Sequence, residues 1–219
     1  EYPSALYQVA IFPKTQADAA KISITLNRLC EEDMTLSWKT VAATNQTILQ
    51  GMGGQHIDVA IRRAQAKFQV NLLIKEPKVP YQETIQGNGT AVYRHKKQTG
   101  GSGQFARVKI TFEPLEAGEG FQFENKVTGG NIPREYIPGV EKGLNEARNT
   151  GVLAGFPMID FKATLTDGAF HDVDSSVMAF EIASRAAYRD GMEKAGAQLL
   201  EPVMKVEVVT PEEYMGDII

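Results

Sequence analysis

Two stretches of this chain place apolar residues at helical spacing, and short alternating segments bracket each of them. In "TQADAAKISITLNRLCEED", residues 15–33, Ala19, Ile22, Leu26 and Leu29 share one helical stripe. Thr15 is a fair N-cap, and Asp18 three residues on stands in for the capping-box acid. In "QHIDVAIRRAQAKF", residues 55–68, the stripe is Ile57, Ile61, Ala64 and Phe68. Around these stretches lie four strand-like segments: "ALYQVAIF" ending at Pro13, "TLSWKTV", "QTILQGM" and "QVNLLI". The order of these elements is β-α-β-β-α-β in about 75 residues. That is the split-βαβ, ferredoxin-like pattern, assigned to residues 1–75.

A second unit follows. "KEPKVPYQETI" carries two prolines and no helical period, so residues 76–84 read as an extended linker. Beyond it "TAVYRHKK" is strand-like. Ala106, Val108, Ile110 and Phe112 alternate with Arg107, Lys109, Thr111 and Glu113, the mark of a half-buried strand. "GFQFENKV" is a third strand. "PREYIPGVEKGLNEARNTG" puts Val140, Leu144 and Ala147 on one helical face, with Gly151 as a plausible C-cap. "PMIDFKATLTDG" alternates through Ile159, Phe161, Ala163 and Leu165. A long helix starts near Asp174, capped by Asp174 or Ser175, with Met178, Ile182, Ala186 and Arg189 at helical spacing and a Glu181–Arg185 pair on its exposed side. "VMKVEVVT" reads as one more strand, and "PEEYMGDII" opens a helix at its proline before the chain stops. The second unit is assigned to 85–201. Residues 202–219 read as the start of another unit that is cut off, which with Glu1 at the other end suggests a piece of a longer protein. The fold class is α+β.

Bulk properties narrow the function. No apolar run approaches the ~20 residues that cross a membrane. The single cysteine, Cys30, cannot form an internal disulfide and suits a reducing compartment. Net charge is -4, so nucleic-acid binding has to rest on local basic patches.

"KKQTGGSGQFARVKI", residues 96–110, crowds three glycines and a serine behind a basic stretch. A nucleotide-binding loop leads from a strand into a helix, whose free amides hold the anion. Here a strand follows and no Gly-Lys-Ser/Thr is present. The loop is either a plain hairpin tip or a contact to an RNA backbone, in which glycines bring main-chain amides close to phosphates. Arg94, His95, Lys96, Lys97 and Arg107 would flank that tip with charge, and Gln98, Thr99 and Gln104 offer neutral donors. In "DGAFHDVDSSVMAF", residues 167–180, His171, Asp172 and Ser175 sit too close in sequence to form a hydrolytic triad. Metal binding through His171, Asp172 and Asp174 is no better, because His56 and His95 lie in unrelated elements. An exposed loop tip with a histidine remains, either a plain surface ring or one that stacks on or hydrogen-bonds RNA.

Several segments resemble a known family. "QTGGSGQFARVKI", "GGNIPREYIPGVEKG", "GVLAGFPMIDFKATLTDGAFHDVDSSVMAF" and "LLEPVMKVEV" are similar to the fourth domain of bacterial elongation factor G. "FPKTQADAAKISITLNRLCEED", "QTILQGMGGQHIDVAI" and "KVPYQETI" are similar to its third, and "VEVVTPEEYMGDII" to the opening of its fifth. The resemblance implies a ribosomal-protein S-five-like α/β fold with a left-handed crossover for the second unit, and a further ferredoxin-like domain beyond residue 201. It implies that the fourth domain reaches the decoding centre of the small ribosomal subunit. Its tip loops there touch the transfer RNA–messenger duplex. Carried over, the tips are Lys97, Gln98, Thr99, Gly100, Gly101, Ser102, Gly103 and Gln104, and Phe170, His171, Asp172, Val173 and Asp174, with His171 in the family's tip-histidine position. Expected partners are the ribosome, its small-subunit RNA and proteins, and the tRNA–mRNA duplex. The protein is expected to be a cytoplasmic monomer without a membrane association. No catalytic residue, metal or cofactor is expected in this chain; GTP and magnesium belong to a domain of the parent that it lacks.

The chain departs from the family where Ser102 replaces an arginine, Gly54 and Gln55 replace Glu-Leu, Val177 replaces a glutamate and Phe170 a tyrosine. Losing a tip arginine weakens the salt-dependent part of RNA contact. These departures point to a divergent second-type paralogue. Besides translocation, the open alternatives are ribosome recycling, tetracycline-type ribosomal protection and, distantly, a small-molecule kinase of the same α/β fold.

Overall fold

A computed structural model describes residues 5–98, 100–101 and 103–218. Residues 7–75 build one sheet with two helices in the predicted order. They are β1 (Tyr7–Pro13), α1 (Gln16–Glu32), β2 (Ser37–Val41), β3 (Gln46–Gly51), α2 (Gly54–Phe68) and β4 (Leu72–Lys75). The sheet order is β2-β3-β1-β4 with every neighbour antiparallel, which is the ferredoxin-like arrangement. Val9, Ile11, Leu49 and Leu72 from the sheet meet Leu26 and Leu29 of α1 and Ile57, Ala60 and Ala64 of α2.

Thr15 caps α1 as expected, and its reciprocal partner Asp18 does more than close the box. The Asp18 carboxylate also accepts from the backbone N–H of Asn71 at 3.0 Å, fastening the start of α1 to the approach of β4. Asp18 is therefore buried, while Ala19, predicted on the core stripe, is exposed.

At the other end of α1, Asp33 accepts from the Thr35 hydroxyl and amide and from His56 Nε2, the last at 2.9 Å. His56 Nδ1 accepts from the Met52 amide, so the neutral ring carries its proton on Nε2 and donates it to Asp33. The Thr35 hydrogen bond first, then that from His56, lowers the Asp33 carboxyl from 3.8 to about 2. A carboxylate depressed in the folded state stabilises above its unfolded pKa and loses that contribution as pH falls through the folded one. Between about pH 4 and 2 the chain is expected to lose about 1–2 kcal/mol on this account, after allowance for solvent screening. Urea unfolding across that window measures it, and Asp33→Asn should flatten the dependence; an equally steep acid limb in the variant would exclude Asp33 as its source.

The second sheet holds β6 (Gly89–Lys97), β7 (Gln104–Pro114), β8 (Phe121–Asn125) and β9 (Phe161–Ala169), after β5 (Gln82–Ile85). Its order is β6-β7-β9-β8, antiparallel except for the parallel β8–β9 pair. The crossover between those two strands contains α3 (Ile137–Ala147). After β9 come α4 (Val177–Lys194) and β10 (Ala197–Leu200). Ala106, Val108, Ile110 and Phe112 of β7 are buried as their alternation requires. Phe161, Ala163 and Leu165 of β9, Val140 and Leu144 of α3, and Phe180, Ala183 and Ala187 of α4 join them.

Six expectations need correction. The cap of α4 is Ser176, whose side chain accepts from Ala179 N, rather than Asp174 or Ser175. The buried stripe of α4 is Ala179, Phe180, Ala183, Ser184, Ala187, Tyr188, Gly191 and Met192; Met178 and Arg189 face out, and Arg185 pairs with Glu146 of α3 instead of Glu181. The helix α3 ends at Arg148, and Gly151 lies in the loop beyond it. Finally, residues 203–210 form no strand: Val203, Val206 and Val209 are exposed and unpaired among the described residues, whereas Ala197–Leu200 just before them pairs with β5 as a two-stranded sheet. The pairing draws in Gln82, Glu83 and Thr84, which fall in the stretch read as linker.

Candidate nucleic-acid interface

Both predicted loops grow from the same end of the second sheet. β6 and β7 pair antiparallel up to Lys97 opposite Gln104, so the chain reverses just beyond that pair. β7 also pairs with β9 up to Arg107 opposite Ala169, which delivers residues 170–176 beside that hairpin.

Hydrogen bonds lace the two loops together. The Phe105 amide donates to Asp174 O at 2.8 Å, and the Ser175 hydroxyl donates to Phe105 O at 2.7 Å. That same hydroxyl accepts from the His171 amide at 2.9 Å, and Ser175 N donates to His171 O. The His171 ring closes the loop from inside: Nδ1 accepts from the amides of Val173 and Asp174 at 3.3 and 3.2 Å. Asp174 Oδ2 lies 3.6 Å from this nitrogen, but an Nδ1 that accepts two amides has no proton for an ion pair. The neutral ring thus carries its proton on Nε2, which has no acceptor among the described residues, and just over half of the side chain is exposed. The ring lies 6.3 Å from that of Phe105, over which the Arg94 guanidinium sits at 5.3 Å.

Of the hairpin residues, Lys97, Gln98, Gly100 and Gly101 are exposed. Gly100 has φ 42°, a left-handed conformation that suits glycine. At Gly103 a Cβ would lie 2.9 Å from the Asp174 carboxylate, so a larger residue there obliges that side chain to turn aside. Gln104 is half-buried, with its amide oxygen 2.9 Å from His95 Nε2. In the second loop His171, Asp172 and Val173 are exposed, Val173 to 76%, and Phe170 is partly so at 38%. Thr99 and Ser102 lie outside the described residues.

Sequence reasoning missed Ser175 as the stitch between the loops and Phe105 as their shared support. The signal was present in Ser175-Ser176, two hydroxyls where one cap suffices. Ser175→Ala removes the cross-loop hydroxyl bond to Phe105 O and the bond from the His171 amide within the second loop, and is expected to cost about 1–2 kcal/mol. Exchange of the His171 amide, followed by NMR, should speed up by about tenfold, because its acceptor is gone. Unchanged protection would show that the Phe105–Asp174 bond holds the loops unaided.

Among the described residues, no group of three or more His, Cys, Asp or Glu side chains could hold a metal ion, and no helix is long and apolar enough to cross a membrane. What the arrangement presents is a stiff pair of loops bearing amides, neutral donors and flanking cations.

Comparison with known proteins places the chain in a family. The family model described as "Elongation Factor G, domain III" matches residues 2–76, and "Elongation factor G, domain IV" matches residues 77–196. The chain belongs to the elongation factor G family. Two curated elongation factor G proteins, from Orientia tsutsugamushi strains Ikeda and Boryong, are 57% and 56% identical to it over 219 residues. Those matches cover all of this chain but only 31% of each elongation factor G. A crystal structure of a Thermus thermophilus protein superimposes with a TM-score of 0.81 at 39% identity, covering 91% of this chain and 30% of that one. Both loops fall within the match to the fourth domain of elongation factor G.

Proposed function

We propose that this chain is the ribosome-contacting part of a translational GTPase and that it promotes movement of tRNA and mRNA. Its units are residues 1–75 as the third domain, 76–84 as linker, 85–201 as the fourth and 202–219 as the beginning of the fifth. The loops Lys97–Gln104 and Phe170–Asp174 touch the tRNA–mRNA duplex in the decoding centre of the small subunit. The observation that carries this reading is the lacing of an exposed glycine-rich hairpin and an exposed loop bearing His171 into one tip at the end of a packed sheet.

A factor that serves every codon has to hold RNA without reading it, and contacts to phosphate and sugar do that. The tip acts as a doorstop: it fills space that the RNA has left and opposes its return. Stiffness matters more than reactivity in such a device, and the loops are anchored to β7 and α4. His171 Nε2–H is the donor at the tip. The chain itself carries out no catalytic step; GTP and magnesium act in the guanine-nucleotide domain of the full-length factor, a cytoplasmic monomer.

The test uses that full-length factor. His171→Ala should slow tRNA–mRNA movement on the order of tenfold by misplacing the contact, while GTP hydrolysis on ribosomes stays nearly unchanged. Translocation at the unmodified rate would sink the tip assignment, and loss of both activities would point to a folding defect instead. The high identity to proteins named elongation factor G favours this reading over recycling or ribosomal protection.

A further inference from the structure

The helices α3 and α4 cover one face of the second sheet. The other face has no helix on it among the described elements, and its charges are segregated. In register, Arg94 of β6 stands directly opposite Arg107 of β7, Val92 opposite Lys109, and Lys96 opposite Phe105. Alternation along each strand puts Arg94, Lys96, Phe105, Arg107 and Lys109 on this open face, opposite the buried Ala106, Val108 and Ile110.

Two arginines directly opposed across strands repel each other, an arrangement that costs stability unless something neutralises it. Asp167 offsets part of that charge without forming an ion pair with either strand's cations. None of the ion pairs among the described residues involves Arg94, Lys96, Arg107 or Lys109. The acid nearest in register is Asp167, opposite Lys109, and its carboxylate is taken by Asn131 Nδ2 at 2.9 Å. Hydrogen bonds from Asn131 and the Gly168 amide, then the positive field of Arg107 and Lys109, hold that carboxyl below its ordinary range. At the far end of the same sheet, by contrast, Lys162 and Lys126 are both paired with Glu124. Among the described residues, cations at one end of the sheet are held in ion pairs, and those at the tip end are not. Stacking of Arg94 on Phe105 fixes one guanidinium in place.

We propose that Arg94, Lys96, Arg107 and Lys109 form a second nucleic-acid surface, distinct from the tip loops, that takes the sugar–phosphate backbone of a helical RNA. Cations two residues apart on a strand are about 6.6 Å apart, close to the spacing of successive phosphates, and neighbouring strands supply a second row. A sheet face is too broad to enter the deep, narrow major groove of helical RNA, so its cations meet the backbone rather than base edges. The inference deepens the proposed function and takes RNA as the partner from it. It adds a contact along the body of the domain, to RNA other than the duplex at the tip.

The experiment measures binding of the 219-residue chain to a fluorescein-labelled RNA duplex of about 20 base pairs by anisotropy, between about 50 and 200 mM salt. Changing Arg94, Lys96, Arg107 and Lys109 together to Gln should reduce the slope of log K against log salt by about 3 to 4, and affinity near 0.1 M salt by at least about tenfold. A control with the same change in net charge, Lys14, Lys21, Lys39 and Arg62 to Gln, should leave the slope nearly as it was. The melting temperature of the four-fold variant should not fall, since a like-charge pair is removed. If that variant fails to fold, Arg94→Gln with Lys96→Gln, both exposed, should lose about half as much slope. An unchanged slope in the face variant, equal losses in face and control variants, or tighter binding of polyglutamate than of RNA would each overturn the proposal. The tip reading is judged separately by the His171→Ala translocation assay: slowed translocation alongside an unchanged salt slope removes the face and keeps the tip.

Discussion

Glu83→Ala is expected to destabilise the chain by about 3–5 kcal/mol, the range for removing one partner of a buried, hydrogen-bonded charge. Glu83 is fully buried. Its carboxylate accepts from the backbone amides of Leu153 and Phe156 at 2.7 and 2.8 Å, and of Ala154 at 3.3 Å. Its own backbone binds the same loop, through Glu83 N to Pro157 O at 2.8 Å and Ile159 N to Glu83 O at 2.9 Å. The loop after α3 is thus folded around one side chain. Removing that side chain leaves three amides without an acceptor in a space from which water is largely excluded, and each orphaned donor costs about 1–3 kcal/mol. Gly151 belongs to the same device, because a Cβ there would overlap the Glu83 carboxylate. Its position was read as a helix C-cap; its actual task is to leave room. The phenol of Tyr188 is raised far above its ordinary value, by burial first and by the Glu83 charge second, as expected for a carboxylate close by in the core. Denaturant unfolding gives the free energy, and a thermal scan should show a fall on the order of 10 °C. Glu83→Gln, which keeps one acceptor oxygen, should fall in between. A loss below about 1 kcal/mol for the alanine variant would mean that water reaches the amides.

The second large effect concerns α3. Gly139 and Gly143 are four residues apart on its buried side and face Val177 and Glu181, also four apart, on α4. A Cβ on Gly139 would lie 2.7 Å from Val177 O, and one on Gly143 would lie 2.6 Å from Glu181 O and 3.0 Å from its Cα. Backbone meets backbone here, so no side-chain rotation can relieve the clash. Alanine is a better helix former than glycine by about 1 kcal/mol, so propensity alone predicts that Gly143→Ala stabilises. Packing predicts the opposite sign, and we expect it to win. The single variant should lose about 1–3 kcal/mol net and the Gly139→Ala, Gly143→Ala pair more, since α3 must withdraw from α4 to admit either methyl. Stabilisation of Gly143→Ala by the propensity increment would show that the two helices are not this close.

The two predictions also show where sequence reading stops. Patterns of period 2 and 3.6 located most of the strands and helices, because burial of one face imposes them locally. The capping box of α1 and the alternation of β7 could be read residue by residue. The helix α4 misled because it is buried over a wide arc: its alanines pack against both the sheet and α3, and the exposed residues Met178 and Arg189 also fall at helical spacing. Residues 203–210 misled because alternation states that a segment suits a strand, whereas a strand forms only where a neighbouring edge is available. Ala197–Leu200 found such an edge in β5 without showing any alternation.

For the candidate site, the sequence located both loops and the exposed histidine, the first by its glycines and basic flanks and the second by its place between a strand and a helix; their assignment as tips came from the family resemblance. The sequence could not show that the loops touch. Their meeting depends on β7 pairing with β9, an interaction between residues some 60 positions apart, and on Ser175 reaching across to Phe105. The same holds for the opposed arginines of the open face and for Glu83 beneath its loop. Local spacing decides which elements form, because each element answers to its own neighbours along the chain. Which charges are left without partners, and which side chain a distant loop closes around, is decided only when the elements pack, because those contacts have no counterpart in the order of residues.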